Sequence, residues 1–200
     1  GLDLNVFKNK NKNKNKNLTS QSSVFNIISV GRPHWKKGYG YALDAFKHLK
    51  DLGCDFKYTI VGGVNLELAY QIKELGLEHD IIVLNQIPFE EVQKRIKTSD
   101  LLFLPSVEEG IANVVLEALS SRVLVLTTDC GGMKEVVIDG ENGFVTPIRN
   151  VHKMAEKILE ISQISENQKK QMTSKAIETI HKQHTEERMI RGMLDLYSNI

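Results

Sequence analysis

Short apolar runs alternate with amphipathic stretches along most of this chain. The apolar runs predict six strands, at residues 25–30, 56–61, 81–84, 101–105, 123–128 and 143–145. Between them, apolar positions recur at helical spacing, which predicts helices at residues 39–49, 66–75, 89–97, 114–120 and 133–137. Residues 151–200 have a helical pattern throughout, which indicates two or three further helices.

The order of these elements predicts the fold class. Five of the strand runs contain few polar residues, as is typical of strands that are buried on both faces. Their alternation with helices predicts an α/β, Rossmann-like fold: a doubly wound parallel sheet of about six strands with helical C-terminal segments. Ligands of such sheets bind beyond the carboxyl ends of the strands, so the residues that follow each strand form the candidate site.

Charge is unevenly distributed along the chain. The 200 residues include 26 Lys and Arg against 25 Asp and Glu, a net charge of +1. Residues 1–23 contain five lysines and a single acidic residue, Asp3, in a segment where Asn and Lys alternate. This composition predicts a solvated linker, and the rest of the chain lacks the basic excess that nucleic-acid binding requires.

Other sequence features bear on location and on domain organisation. No apolar run is long enough for a membrane span, and no signal peptide pattern opens the chain. The two cysteines, Cys54 and Cys130, have no closely spaced partners, which fits a reducing compartment and predicts a cytoplasmic protein. Because the first residue is Gly1 rather than Met, we expect the chain either to begin inside a larger protein or to have been processed.

Cations follow the first predicted strand. Gly31 permits close approach of a ligand to the backbone, while Arg32 and Lys37 offer a planar fork and a point charge. Two cations at the carboxyl end of a strand can neutralise a diphosphate. Alternatively, they are surface residues of a loop that leads into a helix.

Two carboxylates follow the fourth predicted strand. Glu109 and Gly110 precede a helix that we expect to begin near Ala112, and the N–H groups at a helix start form an anion site. Glu117 lies among apolar residues inside this helix, where a carboxylate requires a partner and can accept two hydroxyl groups. Alternatively, Glu109 only favours the helix start and Glu117 is a solvated helix residue.

Several enzyme classes lack their motifs here. The chain has no P-loop, no G-x-G-x-x-G after the first strand and no G-x-S-x-G. It has no D-x-D pair to hold a divalent cation, and His181 and His184 have no evident third ligand, so we predict no metal site.

Residues 106–118, SVEEGIANVVLEA, closely resemble the E-x7-E motif of retaining glycosyltransferases with the GT-B fold, the family 4 or group 1 transferases. The segments at residues 30–32, 36–38, 60–63, 128–132 and 135–143 match the same family in order and spacing. The resemblance implies one half of a GT-B fold. It assigns residues 1–23 to the interdomain linker, residues 24–183 to the donor-binding domain, and residues 184–200 to a helix that packs on an N-terminal domain outside this chain.

The resemblance also implies roles for individual residues. Arg32 and Lys37 would hold the donor diphosphate, Glu109 the transferred sugar and Glu117 the ribose. Ala112 stands where the family often has Pro, a change that we expect to be tolerated. The expected catalytic residues are Arg32, Lys37 and Glu109, and the expected donor-binding residues are Gly31, Arg32, Lys37, Ile87, Glu109, Gly110, Ile111, Ala112, Asn113, Val114 and Glu117.

The function implied by the resemblance is transfer of a hexosyl group, with retention, from a UDP- or GDP-sugar to a glycan, lipid or other acceptor, as in polysaccharide biosynthesis. No metal or other cofactor is expected. The acceptor would be bound mainly by the N-terminal domain, so this chain alone would bind donor but transfer poorly. The full-length protein would be cytoplasmic or peripheral at the inner face of the membrane. A related GT-B epimerase or phosphorylase, or a non-catalytic binding module, remains an alternative.

Overall fold

Six parallel strands form one sheet in the computed structural model, which describes residues 24–183. Their order across the sheet is β3-β2-β1-β4-β5-β6, so the chain winds outward from the centre in both directions. The predicted doubly wound parallel sheet is thereby confirmed. The strands are β1 (Phe25–Val30), β2 (Phe56–Val61), β3 (Ile81–Leu84), β4 (Leu101–Leu104), β5 (Leu124–Thr128) and β6 (Phe144–Thr146).

Helices cover both faces of the sheet. One face carries α1 (Tyr39–Asp51), α2 (Leu66–Glu74) and α6 (Val151–Ser162), and the other carries α3 (Phe89–Thr98), α4 (Asn113–Ser120), α5 (Met133–Val136) and α7 (Glu166–Gln183). The predicted boundaries of the first five helices agree within two residues. None of the helices between residues 24 and 183 is both long and apolar enough to cross a membrane. The predicted linker at residues 1–23 and the predicted helix at residues 184–200 lie outside the described residues.

Two apolar clusters, one on each face, hold the helices to the sheet. Successive side chains of a strand point to opposite faces, so Ile27 enters the cluster under α1 while Ile28 enters the cluster under α4. Leu101 and Leu102 divide in the same way on β4. The central strands are therefore apolar on both faces, as their sequence predicts.

The short strand β3 is an exception to the prediction of burial on both faces. Ile82 is 46% exposed and Val83 is 37% exposed, although both are apolar. The physical reason is position: β3 pairs only with β2 and forms one edge of the sheet, where the flanking helices give less cover. The prediction of two buried faces is therefore wrong for this strand.

Candidate functional site

The loops that follow β1 and β4 lie against each other at the carboxyl edge of the sheet. The backbone N–H of Val107 donates to the carbonyl oxygen of Lys36 at 2.7 Å. Two ion pairs then link the loops side by side: Lys36 with Glu108 at 2.6 Å, and Lys37 with Glu109. Two predicted site residues that lie 72 positions apart in the chain, Lys37 and Glu109, are thus in direct contact.

The two neighbouring ion pairs differ in their exposure to solvent. The side chains of Lys37 and Glu109 are each 23% exposed, whereas those of Lys36 and Glu108 are 42% and 60% exposed. The hydroxyl of the buried Ser106 also lies 3.5 Å from the Glu109 carboxylate and can donate to it. The Lys37–Glu109 pair, the inner of the two, is therefore less screened by solvent than the outer Lys36–Glu108 pair.

Tyr39, the first residue of α1, forms a hydrogen bond with the loop after β1. Its buried hydroxyl donates to the carbonyl oxygen of Gly31 at 3.0 Å. Burial raises the pKa of Tyr39, and the nearby Glu109 carboxylate raises it further, so the phenol stays protonated and remains a donor. A Cβ on Gly31 would lie 3.1 Å from Cε of Lys37, so the absence of a side chain leaves room for the lysine stem.

Glycines allow the rim loops to pack backbone to backbone. Gly38 has φ +65°, and a Cβ there would lie 2.0 Å from the carbonyl oxygen of Pro105. Gly131, in the loop after β5, has φ +48°, and its Cβ would lie 1.7 Å from the carbonyl oxygen of Glu109. Only glycine fits such contacts at positive φ. The loops after β1, β4 and β5 therefore converge on one rim, as predicted.

The start of α4 offers unused hydrogen-bond donors next to Glu109. Ala112 is the N-cap residue and has no side chain that could cap the helix, which begins at Asn113, next to the predicted start near Ala112. Within the described part of the chain, the N–H groups of residues 110–114 donate to no carbonyl or side chain. Together with the positive end of the helix dipole, they form a surface suited to anionic oxygens.

Arg32 and Ile87, two further predicted site residues, take no part in the Lys37–Glu109 ion pair. The Arg32 side chain is exposed and makes no hydrogen bond or ion pair with any described residue, so its five donors are available to a ligand. Ile87, in the loop between β3 and α3, is half-buried against the apolar cluster under α4. Among the described residues, neither of the two forms a hydrogen bond or an ion pair with Glu109.

Glu117 lies deeper in α4 and has a different partner. Its carboxylate accepts a hydrogen bond from Nε2 of Gln93 on α3, with Nε2 and Oε2 2.6 Å apart. Burial raises the pKa of Glu117, and the bond from Gln93 lowers it in part. A half-buried carboxylate among apolar residues needs a hydrogen-bond partner. Glu117 has one, but it is the amide of Gln93 rather than a cation.

Three residues of the site escaped sequence reasoning: Tyr39, Gln93 and Ser106. Only Gln93 left a usable signal, because it lies three positions before Ile96 and therefore interrupts the apolar face of α3. Side-chain clusters that could hold a metal ion, with three or more His, Cys, Asp or Glu, do not occur among residues 24–183. The chemistry that this rim supports is the binding of a ligand with both anionic oxygens and hydroxyl groups.

The amino-acid sequence is similar to those of known glycosyltransferases. The family model described as "Glycosyl transferases group 1" matches residues 9–179. The amylovoran biosynthesis glycosyltransferase AmsK of Erwinia amylovora is 31% identical over 145 residues, which cover 68% of this chain and 36% of AmsK. The chain spans less than half the length of the curated relatives it matches.

Solved structures share the fold. HepE from Anabaena, solved in complex with UDP and glucose, superposes with a TM-score of 0.82 at 20% identity, covering 100% of this chain and 56% of HepE. The C-terminal domain of LpcC, a glycosyl transferase group 1 family protein from Francisella tularensis, gives a TM-score of 0.76 at 20% identity. That match covers 93% of this chain and 100% of the LpcC domain, so the described residues have the architecture of this domain.

Proposed function

The chain belongs to the glycosyl transferases group 1 family, and from this membership we propose that residues 24–183 bind the nucleotide-sugar donor of a retaining glycosyltransferase. The observation that carries the proposal is the Lys37–Glu109 pair beside the free N–H groups of residues 110–114. This arrangement puts a cation, a carboxylate and a helix start within one rim. A nucleotide sugar has the matching chemistry, with a diphosphate and two sets of hydroxyl groups.

Each part of the rim has a role in this proposal. Lys37, Arg32 and the N–H groups of residues 110–114 bind the diphosphate oxygens. Glu109 accepts hydrogen bonds from the hydroxyls of the transferred sugar, and Glu117 accepts them from the ribose. The loop that contains Ile87 lies beside the base. Lys37 has three donor hydrogens, so it can keep Glu109 as a partner while it binds phosphate.

The reaction follows from where charge develops. Transfer breaks the bond between the anomeric carbon of the sugar and the diphosphate oxygen. The oxygen of the acceptor hydroxyl bonds to that carbon, and its proton passes to the departing diphosphate oxygen. Negative charge then builds on the departing diphosphate. Donors that are already in place stabilise such charge by several kcal/mol of barrier, because they need no reorganisation. The proposal therefore needs no metal or other cofactor at this rim.

The wider biological role is part of the same proposal. AmsK and other curated relatives are named for the biosynthesis of bacterial polysaccharides, which supports a hexosyl transfer to a growing glycan or its lipid carrier. The acceptor is bound mainly by a second domain outside this chain. Transfer takes place in the cytoplasm or at the inner face of the membrane.

Isothermal titration calorimetry of the chain with UDP, GDP, UDP-glucose and GDP-mannose tests donor binding. We expect one base to bind at a dissociation constant below about 1 mM, which corresponds to about −4 kcal/mol. Lys37→Ala should weaken that binding by about tenfold to a hundredfold, because it removes a charge-assisted hydrogen bond. Lys36→Ala is the matched control and should change the affinity by less than about threefold. Absence of binding up to millimolar concentration, or equal losses in both variants, would overturn the proposal.

A further inference from the structure

Gln93 is a buried polar residue that packing alone does not explain. It lies on the apolar side of α3 and is 5% exposed. One end of its amide donates to Glu117, with Nε2 and Oε2 2.6 Å apart. The other end, Oε1, is buried and has no hydrogen-bond partner among the described residues.

A buried amide with an unpaired carbonyl costs free energy. An apolar side chain of the same length, such as methionine, would fill the same space without leaving an acceptor unpaired. What methionine could not supply is the N–H group that meets Glu117. The useful feature of this residue is therefore its donor and the carboxylate that receives it.

The bond from Gln93 leaves the carboxylate of Glu117 with one oxygen in use. Oε2 accepts from Gln93, while Oε1 has no hydrogen-bond partner in the described part of the chain. A glutamate side chain in a helix otherwise samples several rotamers, and fixing it beforehand removes an entropy cost from binding. Gln93 thus holds one carboxylate oxygen and leaves the other as an acceptor.

We propose that Gln93 is a positioning residue that orients Glu117 to accept a ribose hydroxyl, so that selection of ribonucleotides over deoxyribonucleotides at this rim depends on an amide on α3. This inference rests on the proposed function, because it assumes that Glu117 faces the ribose of the donor. It adds to that function a residue that itself need not touch the ligand. Its polar partner is a carboxylate on another helix, 24 positions away in the chain.

The test compares two ligands that differ only in the ribose hydroxyls. Calorimetry is carried out with UDP or GDP, whichever the chain binds, and with the 2′,3′-dideoxy analogue of the same nucleotide. Gln93→Met should weaken binding of the ribonucleotide by about tenfold, the size of one hydrogen bond to a charged group, and leave binding of the dideoxy analogue within about twofold. Lys94→Ala, an exposed neighbour on α3, should change neither.

A structural role for Gln93 makes the opposite prediction. If Gln93 were only structural, Gln93→Met would lower the melting temperature. It would also weaken binding of the ribonucleotide and of the dideoxy analogue alike, because the whole site would become less rigid. The positioning role predicts that Gln93→Met keeps its melting temperature within about 3 °C of the unchanged chain, since the lost hydrogen bond and the removed unpaired carbonyl offset each other. Gln93→Asn, which keeps the amide but shortens its reach, should show the same selective loss and serves if Gln93→Met does not fold.

The pH dependence of binding gives a separate readout. Without the donor from Gln93, the Glu117 carboxyl keeps only the effect of burial, so its pKa should rise further. As the pH is lowered, protonation of Glu117 removes the acceptor for the ribose. Gln93→Met should therefore lose ribonucleotide binding at a higher pH than the unchanged chain does. Equal affinity of the unchanged chain and Gln93→Met for the ribonucleotide would overturn this inference alone. Failure of the unchanged chain to bind any nucleotide would overturn the proposed function and this inference with it.

Discussion

Glu109 and Glu117 lie eight positions apart, yet their surroundings differ in kind. Glu109 precedes α4, in a loop, and its carboxylate pairs with the ammonium group of Lys37. Glu117 lies within α4 among buried apolar residues, and its partner is the neutral amide of Gln93. One carboxylate is balanced by a charge, and the other is only oriented.

Under the proposed function, this difference suits the two carboxylates to unlike parts of one ligand. A carboxylate beside a cation lies next to the anionic part of a ligand, because the cation attracts both. A carboxylate beside an amide lies in a less polar environment, which suits neutral hydroxyl groups. In the proposed donor complex, Glu109 would therefore meet the transferred sugar beside the diphosphate, and Glu117 would meet the ribose.

We expect the largest effect from a substitution at Gly131, whose backbone packs against the carbonyl group of Glu109. Gly131→Ala would place a Cβ 1.7 Å from the Glu109 carbonyl oxygen, so the loop must move, and we expect a loss of about 3 kcal/mol or more in the free energy of unfolding. Gly140→Ala is the matched control. Gly140 also has a positive φ, +73°, but a Cβ there meets no atom within 4 Å, so the cost should be about 1–2 kcal/mol.

Urea denaturation of the two glycine variants measures this difference. Nucleotide binding should fall in Gly131→Ala and stay unchanged in Gly140→Ala. Equal destabilisation by the two substitutions would contradict the close packing of the loops after β4 and β5.

Next in size is the division of the ligand between the two carboxylates. Glu109→Gln should weaken binding of the nucleotide sugar by about tenfold, while binding of the nucleotide without sugar stays within about threefold. Glu117→Gln should weaken both by about the same factor, because both contain the ribose. Calorimetry with UDP-glucose and UDP, or with GDP-mannose and GDP, checks the pattern. The same loss from the two variants in both ligands would show that the carboxylates do not divide the donor.

A smaller effect is expected from the ion pairs themselves. A double-mutant cycle on Lys37 and Glu109 should give a coupling free energy of about 1 kcal/mol, since both side chains are largely buried. The same cycle on the more exposed Lys36 and Glu108 should give less than about 0.5 kcal/mol. Chemical denaturation of the single and double alanine variants, without ligand, yields both values. A larger coupling for the outer pair would refute the ranking by burial.

The smallest effect concerns the pH dependence of stability. Because burial raises the pKa of Glu117, the folded chain takes up a proton there at a pH where the unfolded chain has not. This residue therefore adds stability as the pH falls through its raised pKa and removes it as the pH rises. Donor binding has the opposite dependence, since protonation removes the acceptor.

Subtracting the pH profile of Glu117→Gln from that of the unchanged chain isolates this residue. Urea denaturation between pH 7 and pH 4 should give a difference that shifts in favour of the unchanged chain as the pH falls. A shift in the other direction would indicate a carboxylate stabilised in its charged form, as expected of a residue paired with a cation.

Much of the rim could be predicted from the sequence because its parts follow strands. The turn residues after β1, β4 and β5 are local signals, and parallel strands bring their carboxyl ends to one edge. The spacing from Glu109 to Glu117 is likewise a local property. The ligand roles of these residues stay predictions. The predicted linker at residues 1–23 and the predicted helix at residues 184–200 lie outside the described residues.

The pairing of side chains could not be predicted in the same way. Nothing in the chain around Lys36 and Lys37 shows which lysine meets Glu109 and which meets Glu108, since the answer depends on how two loops pack. The hydrogen-bond partner of Glu117 could not be predicted either, because Gln93 lies on a different helix. Exposure of β3 followed from its place at the sheet edge, although its residues are as apolar as those of the central strands.

The sequence by itself determined the order of elements, the parallel sheet and the positions that reach the rim. These depend on periodic burial and on turn residues, which act over a few neighbouring positions. The tertiary structure alone decided which carboxylate has a cation, which has an amide and which strands form the two edges of the sheet. Such contacts join residues 24 to 72 positions apart, and the free energy of each depends on desolvation and distance that no local pattern specifies.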